Sequence, residues 1–312
     1  MIIVASANGR VGIDAAFEAL ESGVSAVGAV EIGIRAVEDN ADDHTVGAAG
    51  YPNILGELEL DASIMDGVTR ECGAVGALHG FRHPISVALS VMRNLPHVLL
   101  VGEGADRYAR EIGAERITSV NTAARDEWRR RVAEIVTAPG DDAIGDGRPL
   151  APLVRHAADP ERVAGTVNFL AIDDDGGVCA GVSTSGWALK YPGRLGDSPV
   201  IGGGCYADAR YGAAACTGMG EMAIRACTAH SIVTAMRHGM SADDAVRDAF
   251  EDLVLLGGPF LDVMNSIAVD TAGNHAGFSS LEGRTYVYRS SGMTSYDERA
   301  RTVAPIPRRW AR

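Results

Sequence analysis

The chain alternates between short apolar runs typical of β-strands and longer segments in which apolar residues recur at helical spacing. Strands are predicted at 2–7, 58–65, 73–78, 97–101, 166–172, 178–184, 212–217, 266–270 and 285–288. Helices are predicted at 13–21, 26–38, 84–94, 106–112, 122–136, 222–237 and 242–255. This arrangement indicates two stacked sheets with helices on both outer faces.

A β-hairpin is predicted around the turn-forming sequence DDDGG at 173–177, which has an apolar, β-prone run on each side. If Ile172 faces Val178 at the turn, the other opposed pairs of the hairpin follow by counting one residue outward along each strand. Thr166 then faces Thr184, with Cβ atoms roughly 4.5 to 5.5 Å apart. This register is an assumption, because a one-residue slip would turn the two hydroxyls to opposite faces.

Residues 137–165 are rich in Pro, Gly, Asp and Ala with little apolar periodicity, which predicts a flexible linker. A linker that runs into a strand beginning with threonine suits a self-cleaving precursor. The Thr166 side-chain oxygen would attack the Gly165 carbonyl, and water would hydrolyse the resulting ester. The freed α-amino group, with an ordinary pKa of roughly 7.7 to 8.0, could then be the general base for its own hydroxyl. The alternative is a threonine that simply favours a strand.

The loop at 191–199 is bracketed by prolines and holds one cation and one anion. Arg194 can bind a carboxylate through two parallel hydrogen bonds. Asp197 can accept from an ammonium group, so the two together could recognise the α-carbon end of an amino acid. The alternative is a salt bridge within the loop.

Residues 213–221 form a run of small residues that passes through a glycine bend into a predicted helix. Free N–H groups at a helix start can stabilise an oxyanion. The Gly218 N–H and the Thr217 hydroxyl are the candidate donors. An alternative is that the glycines only allow the strand and the helix to pack closely.

Composition is that of a single acidic globular chain of 312 residues, 46% of them hydrophobic. A net charge of -13 and a pI near 5.0 argue against nucleic acid or an anionic membrane surface as partner. The five cysteines lack CxxC spacing, which favours buried small residues in a reducing compartment over a zinc site or a disulfide framework. Without a secretory pattern at the amino terminus, a cytoplasmic location is expected, with a periplasmic or exported one as the alternative.

Several short motifs follow one another along the chain. In the second half they are TV at 166–167, STSG at 183–186, GRLGDSP at 193–199, IGGG at 201–204 and CTGMGE at 216–221. In the first half they are TVG at 45–47, GYPN at 50–53, LDASIMDG at 60–67 and HVLLVGE at 97–103. In order and spacing, these motifs resemble the glycosylasparaginase and plant-type asparaginase family of N-terminal nucleophile hydrolases. The first-half motifs are more similar to the glycosylasparaginase branch.

The resemblance implies an α+β fold, a four-layer αββα sandwich formed as one domain by residues 1–312. Cleavage would divide it into an α subunit, 1–165, and a β subunit, 166–312. The implied roles are Thr166 as nucleophile and base, Thr184 as its support, Arg194 for the substrate α-carboxylate, Asp197 for the α-ammonium, Thr217 with Gly218 as oxyanion hole, and Thr45 as a hydroxyl near the nucleophile.

The implied reaction is hydrolysis of the β-amide of asparagine, or of a β-aspartyl bond, through an ester on Thr166 without metal or organic cofactor. The expected partners are a small asparagine derivative and the chain's own subunits, as an α/β heterodimer that dimerises again. A glycosylasparaginase-like enzyme, an asparaginase and an isoaspartyl peptidase are the variants. A nonprocessing binding protein of the same fold is the alternative.

Three positions depart from the family pattern. Ala164 and Gly165 stand where glycosylasparaginases usually have His-Asp, although glycine is normal in the asparaginase branch. Residues 2–8 lack the tryptophan that contacts substrate in glycosylasparaginases, which predicts a weak preference for a glycan. Asn168 stands where the family usually has glycine, and it adds a side chain beside the nucleophile.

Overall fold

The computed structural model describes residues 1–119, 121–135, 149–157 and 165–310. Its strands are β1 Ile2–Ser6, β2 Leu60–Asp66, β3 Cys72–Leu78, β4 Leu99–Val101, β5 Val167–Ile172, β6 Val178–Thr184, β7 Cys205–Asp208, β8 Gly212–Gly218, β9 Phe260–Leu261, β10 Met264–Asp270, β11 His275–Ser279, β12 Thr285–Ser290, β13 Asp297–Ala300, β14 Thr302–Val303 and β15 Arg309–Trp310. Its α-helices are α1 Ile13–Glu21, α2 Ala26–Glu38, α3 Pro84–Asn94, α4 Gly102–Glu111, α5 Thr122–Ile135, α6 Leu150–Ala157, α7 Gly220–Ala226, α8 Thr228–Arg237 and α9 Ala242–Val254.

The larger sheet has eight strands in the order β13-β12-β1-β5-β6-β2-β3-β4. Helices α1, α2 and α3 cover its outer face and bury a core that includes Phe17, Ile34 and Phe169. Helix α2 begins after Ser25, whose side chain caps it by accepting from the Gly28 N–H. The strands at the centre of this sheet are buried throughout, which explains why β5 and β6 are almost continuously apolar.

The smaller sheet has five strands in the order β14-β11-β10-β8-β7, and helices α8 and α9 cover its outer face. Its inner face packs against the larger sheet through a shared core in which Ala213 and Ala215 of β8 meet Leu170 and Val182. Small residues on β8 allow the two sheets to approach closely. The predicted four-layer αββα sandwich is confirmed.

One predicted helix, 222–237, is two helices in the structure, because Cys227 adopts a left-handed backbone with φ of 48° between α7 and α8. Apolar periodicity continues across such a break, so the sequence pattern does not reveal it. Cys227 is exposed and Cys72 is only half-buried, so the expectation that the cysteines are buried is wrong for these two.

The predicted linker contains helix α6, which packs Leu150, Leu153 and Val154 against Ile54. This amphipathic helix has only eight residues and is flanked by Pro and Gly, so composition hides it. Residues 137–148 and 158–164 of the linker lie outside the described residues. None of the described helices is both long and apolar enough to cross a membrane.

Candidate active site

The hairpin formed by β5 and β6 has the predicted register, with Ile172 opposite Val178 and Val167 opposite Ser183. Strand β5 begins at Val167, so Thr166 immediately precedes the strand rather than occupying its first position. Continuing the register by one residue places Thr166 opposite Thr184 at the end of the hairpin. Both threonines are buried.

The Thr184 hydroxyl contacts the peptide bond that precedes Thr166. Its Oγ1 lies 3.0 Å from the carbonyl oxygen of Gly165 and 3.3 Å from that of Thr45, so its single proton is directed at these two acceptors. The same oxygen accepts from the Gly186 N–H at 3.0 Å, which fixes its position. Thr184 therefore places a hydrogen-bond donor on the carbonyl that a Thr166 nucleophile would attack.

Gly165 packs directly against Thr45. A Cβ atom at position 165 would lie 2.0 Å from Thr45 Oγ1, closer than any side chain tolerates. Thr45 cannot easily move away, because its Oγ1 and its N–H both bind Asp43 Oδ1, at 2.5 Å and 2.9 Å. The residue before the candidate nucleophile therefore has to be glycine in this conformation. Its predecessor, Ala164, lies outside the described residues.

Asn168 links β5 to the smaller sheet. Its Nδ2 donates to the Cys216 carbonyl oxygen at 2.7 Å, and its Oδ1 accepts from Thr217 Oγ1 at 2.5 Å. Its backbone N–H donates to Ser6 Oγ at 3.0 Å. With both ends of its side-chain amide paired, this buried residue holds the end of β8 beside the start of β5.

The glycines of the bend after β8 allow close approach of neighbouring backbone. Gly218 has a φ of 129°, and a Cβ there would lie 2.2 Å from the Val263 carbonyl oxygen. A Cβ on Gly220 would lie 2.6 Å from the Asp197 backbone nitrogen. These contacts support the packing interpretation of the glycines. The oxyanion role of Gly218 and Thr217 stays a prediction, and in this structure the Thr217 hydroxyl proton is directed at Asn168.

A cavity of about 600 Å³ opens beside the candidate nucleophile. It is lined by four of the predicted or associated site residues, Thr45, Gly165, Thr166 and Thr217. Arg194 and Asp197, which are predicted to bind the substrate head group, do not line it. They lie instead beside the bend at Gly220 and Glu221, at the end of the same strand that carries Thr217.

Arg194 forms a two-pronged ion pair with Glu221. Its Nε and Nη2 each lie 2.9 Å from a carboxylate oxygen of that residue, and its guanidinium lies 4.4 Å from the centre of the Trp187 ring. The alternative of a salt bridge between Arg194 and Asp197 is therefore wrong, because the carboxylate that pairs with Arg194 comes from helix α7. The geometry shows that this guanidinium is oriented to bind a carboxylate in a fork.

Asp197 is a buried carboxylate whose Oδ2 has no hydrogen-bond partner among the described residues. Burial raises the pKa of Asp197 to about 7, and the nearby charge of Arg194 opposes that shift. A buried acceptor without a donor is costly unless a ligand supplies one. An ammonium group has the required donors.

The loop that carries Arg194 is anchored by Lys190, the chain's single lysine. Its buried Nζ donates to the Glu59 carbonyl oxygen at 3.2 Å and lies 3.6 Å from Glu59 Oε2 and 3.9 Å from Asp61 Oδ2. The other Glu59 oxygen accepts from the Gly193 N–H at 2.7 Å. This ionic cluster positions the residues that precede Arg194.

Sequence analysis missed several residues that contact the site. Ser6 and Asp43 lie in segments without a recognisable motif. Only the fold brings Ser6 to Asn168, whereas Asp43 stands two residues before Thr45 and binds it locally. Asn265, on β10, donates through Nδ2 to the Thr217 carbonyl oxygen at 3.3 Å. Its pairing with Thr217 across β10 and β8 depends on strand register, for which the sequence carries no signal.

An αββα sandwich in which a threonine precedes a central strand defines the fold class of the N-terminal nucleophile hydrolases. The chain belongs to the asparaginase family, whose model matches residues 9–295.

Its relatives have three different activities in their names. A plant-type L-asparaginase of Pyrococcus horikoshii is 37% identical over 86% of this chain and 85% of the relative. An isoaspartyl peptidase of Escherichia coli is 36% identical over 91% of this chain and 86% of the relative. An N(4)-(beta-N-acetylglucosaminyl)-L-asparaginase of Elizabethkingia miricola is 34% identical over 77% of this chain and 65% of the relative. Since these identities are so similar, the expected glycosylasparaginase branch stays a prediction.

Proposed function

We propose that the chain is a threonine amidohydrolase that first cleaves its own Gly165–Thr166 bond. It then hydrolyses the β-amide of asparagine or a β-aspartyl bond. The observation that carries this proposal is the hydrogen bond from Thr184 Oγ1 to the Gly165 carbonyl oxygen at 3.0 Å. Family membership and the resemblance of the Thr166 motif support the same assignment.

In the proposed self-cleavage, Thr166 Oγ1 attacks the Gly165 carbonyl carbon and negative charge develops on its oxygen. A donor already placed on that oxygen stabilises this charge without reorganisation, and Thr184 is such a donor. The proton of the Thr166 hydroxyl passes to the Thr166 nitrogen as the bond between that nitrogen and the Gly165 carbon breaks, which leaves an ester on Thr166. Water hydrolyses the ester and yields the Gly165 carboxylate and a free Thr166 amine.

In the proposed hydrolysis, that amine takes the proton of the Thr166 hydroxyl as it attacks the substrate's β-carbonyl. The leaving amine departs with a proton, and water then releases aspartate from the ester. Arg194 would hold the α-carboxylate, consistent with the fork that it already forms with a carboxylate of Glu221. Asp197 would accept from the α-ammonium through its unpartnered oxygen.

Intact mass after storage at neutral pH tests the cleavage step. Wild type should yield two fragments that meet between Gly165 and Thr166, and Thr166→Ala should stay whole and inactive. Thr166→Ser, which keeps a hydroxyl, is the matched control and should still cleave. Thr184→Val keeps the shape of the side chain without its donor and should slow cleavage by about 100-fold or more, as loss of an oxyanion donor does. Active material with Met1 as its only amino end would contradict the proposal.

A substrate panel tests the branch. Specificity constants for asparagine, a β-aspartyl dipeptide and glycosylated asparagine separate the three activities. Because residues 2–8 contain no tryptophan, we expect weak preference for the sugar, and a strong preference would overturn that expectation. A protein that stays uncut but binds aspartate would instead support the nonprocessing alternative.

A further inference from the structure

Arg301 connects the two sheets at the edge of the cavity that contains Thr166. It lies between β13, which belongs to the larger sheet, and β14, which belongs to the smaller sheet. It is buried, yet it lines the cavity. It also lies beyond residues 9–295, the part of the chain that the family model matches.

The Arg301 guanidinium is only partly occupied by protein acceptors. Its Nε donates to the Thr285 carbonyl oxygen at 2.9 Å, and its Nη1 donates to those of Ser266 and Phe278 at 2.7 Å and 3.3 Å. An arginine has five N–H donors, so these contacts leave both N–H groups of Nη2 without a partner among the described residues. These bonds hold the side chain rigidly, while its Nη2 group stays available to a ligand in the cavity.

No described carboxylate balances this charge. Arg284 also lines the cavity. Burial, and after it the charge of Arg284, lowers the pKa of Arg301 to about 10. Two acids line the cavity, Asp42 and Asp43, and neither forms an ion pair with Arg301 among the described residues; Asp43 binds Thr45 and Asn8. Two neighbouring cations in a chain of net charge -13 make a local site that attracts an anion.

Asn265 adds an unpartnered acceptor in the same cavity lining. Its Nδ2 faces the Thr217 carbonyl oxygen, which can only accept, so the orientation of the side-chain amide is determined. Its Oδ1 is then buried and has no donor among the described residues. Asn265 precedes Ser266, whose carbonyl oxygen binds Arg301. The unpartnered acceptor thus belongs to the β10 residue that precedes one of the carbonyl groups holding the Arg301 guanidinium.

We propose that Arg301 Nη2, assisted by Arg284, binds the carboxylate of the leaving group, and that Asn265 Oδ1 accepts from its amine. A free amino acid is the leaving group that has both features. On a β-aspartyl dipeptide, Arg301 would then discriminate an unblocked carboxyl end from a blocked one. This inference rests on the proposed function and names the leaving group that its site would select.

The test compares β-aspartyl-alanine with its carboxyl-terminal amide, with asparagine as a third substrate. For self-cleaved wild type, we expect kcat/KM for the acid to exceed that for the amide by about tenfold, since charge-assisted hydrogen bonds are roughly twice as strong as neutral ones. Arg301→Lys keeps the charge but loses the forked guanidinium. It should lower the ratio of kcat/KM for the acid to kcat/KM for the amide towards one. Arg284→Gln should lower the same ratio, and it is exposed enough to leave folding intact.

Arg237→Gln is the matched control, because Arg237 is an exposed arginine of α8 that does not line the cavity. Its ratio of acid to amide should equal that of wild type. Equal rates on the acid and the amide, in protein that hydrolyses asparagine, would overturn the subsite and leave the proposed function standing. Failure of cleaved protein to hydrolyse any of the three substrates would overturn the proposed function itself.

Discussion

The Thr217 hydroxyl donates to Asn168 Oδ1 across 2.5 Å, while the Asn168 Nδ2 donates to the carbonyl oxygen of the residue before Thr217. The backbone carbonyl can only accept, so it fixes which way the Asn168 amide points. The end of β8 is therefore held to β5 by two hydrogen bonds of one side chain. Glycine, the residue that the family resemblance leads one to expect at this position, could form neither bond.

We expect Asn168→Ala to lower both stability and turnover. The substitution removes the donor from the buried Cys216 carbonyl, which should cost about 1–3 kcal/mol of unfolding free energy. Thr217 also loses its fixed position, so kcat should fall about tenfold with little change in KM. Urea unfolding and steady-state kinetics on cleaved protein measure the two effects.

A double-mutant cycle provides the control for that prediction. Thr217→Val removes the other partner of the same bond. If the hydrogen bond between Asn168 and Thr217 is responsible, the double variant should lose less stability and less kcat than the two single variants lose together. Simple additivity would show that Asn168 acts through something other than Thr217.

If the chain cleaves itself as proposed, Gly165→Ala should block the reaction, because the new Cβ would lie 2.0 Å from Thr45 Oγ1 and displace the peptide bond that is to be cleaved. Intact mass over time follows the remaining precursor. Thr45→Gly removes every Thr45 atom with which the new Cβ clashes, so adding it to Gly165→Ala should restore part of the cleavage. Unchanged cleavage in the single variant would show that the chain can relax around position 165.

The specificity constant for asparagine should rise with pH through about 7, because Asp197 has a pKa raised to about 7 by burial and must be ionised to bind an ammonium. The Thr166 amine titrates nearby, so the control is succinamate, which is asparagine without its α-amino group. Its specificity constant should lack the rise that belongs to Asp197. Identical pH profiles for the two substrates would remove Asp197 from head-group recognition.

Glu38 should make the protein less stable as the pH rises. Burial raises its pKa from an ordinary 4.5 to about 8, although Ser183 Oγ donates to it at 2.6 Å. The folded state therefore keeps a proton that the unfolded state releases, and the unfolding free energy should fall between about pH 4.5 and 8.

Thermal unfolding of Glu38→Gln across this range measures that effect. The unfolding free energy of the variant should fall less steeply with pH than that of wild type. The difference in stability between variant and wild type should therefore shift in favour of the variant from pH 5 to pH 8. Glu21→Gln, at an exposed position of α1, is the control and should follow wild type. An unchanged slope in Glu38→Gln would show that Glu38 is not the group responsible.

Local sequence was sufficient to predict features that are fixed by residues close together in the chain, such as the hairpin of β5 and β6. The hairpin register follows from the turn at 173–177 and the two apolar runs around it, and the register is confirmed from Val167 to Ile172. The break at Cys227 was invisible because one left-handed residue leaves the apolar pattern intact. Helix α6 was hidden within a Pro- and Gly-rich segment for a similar reason, since an amphipathic helix of eight residues carries little periodic signal.

The sequence by itself determined the layered architecture and the family. Hydrophobic periodicity and the order of motifs can be read along the chain without knowing which distant residues meet. Only the tertiary structure decided that Arg194 pairs with Glu221 rather than Asp197, and that Asn168 binds Thr217. It alone brought Arg301 to the cavity beside Thr166. These contacts join residues on different strands, helices and sheets, and their partners are selected by register and packing distance, which no local pattern encodes.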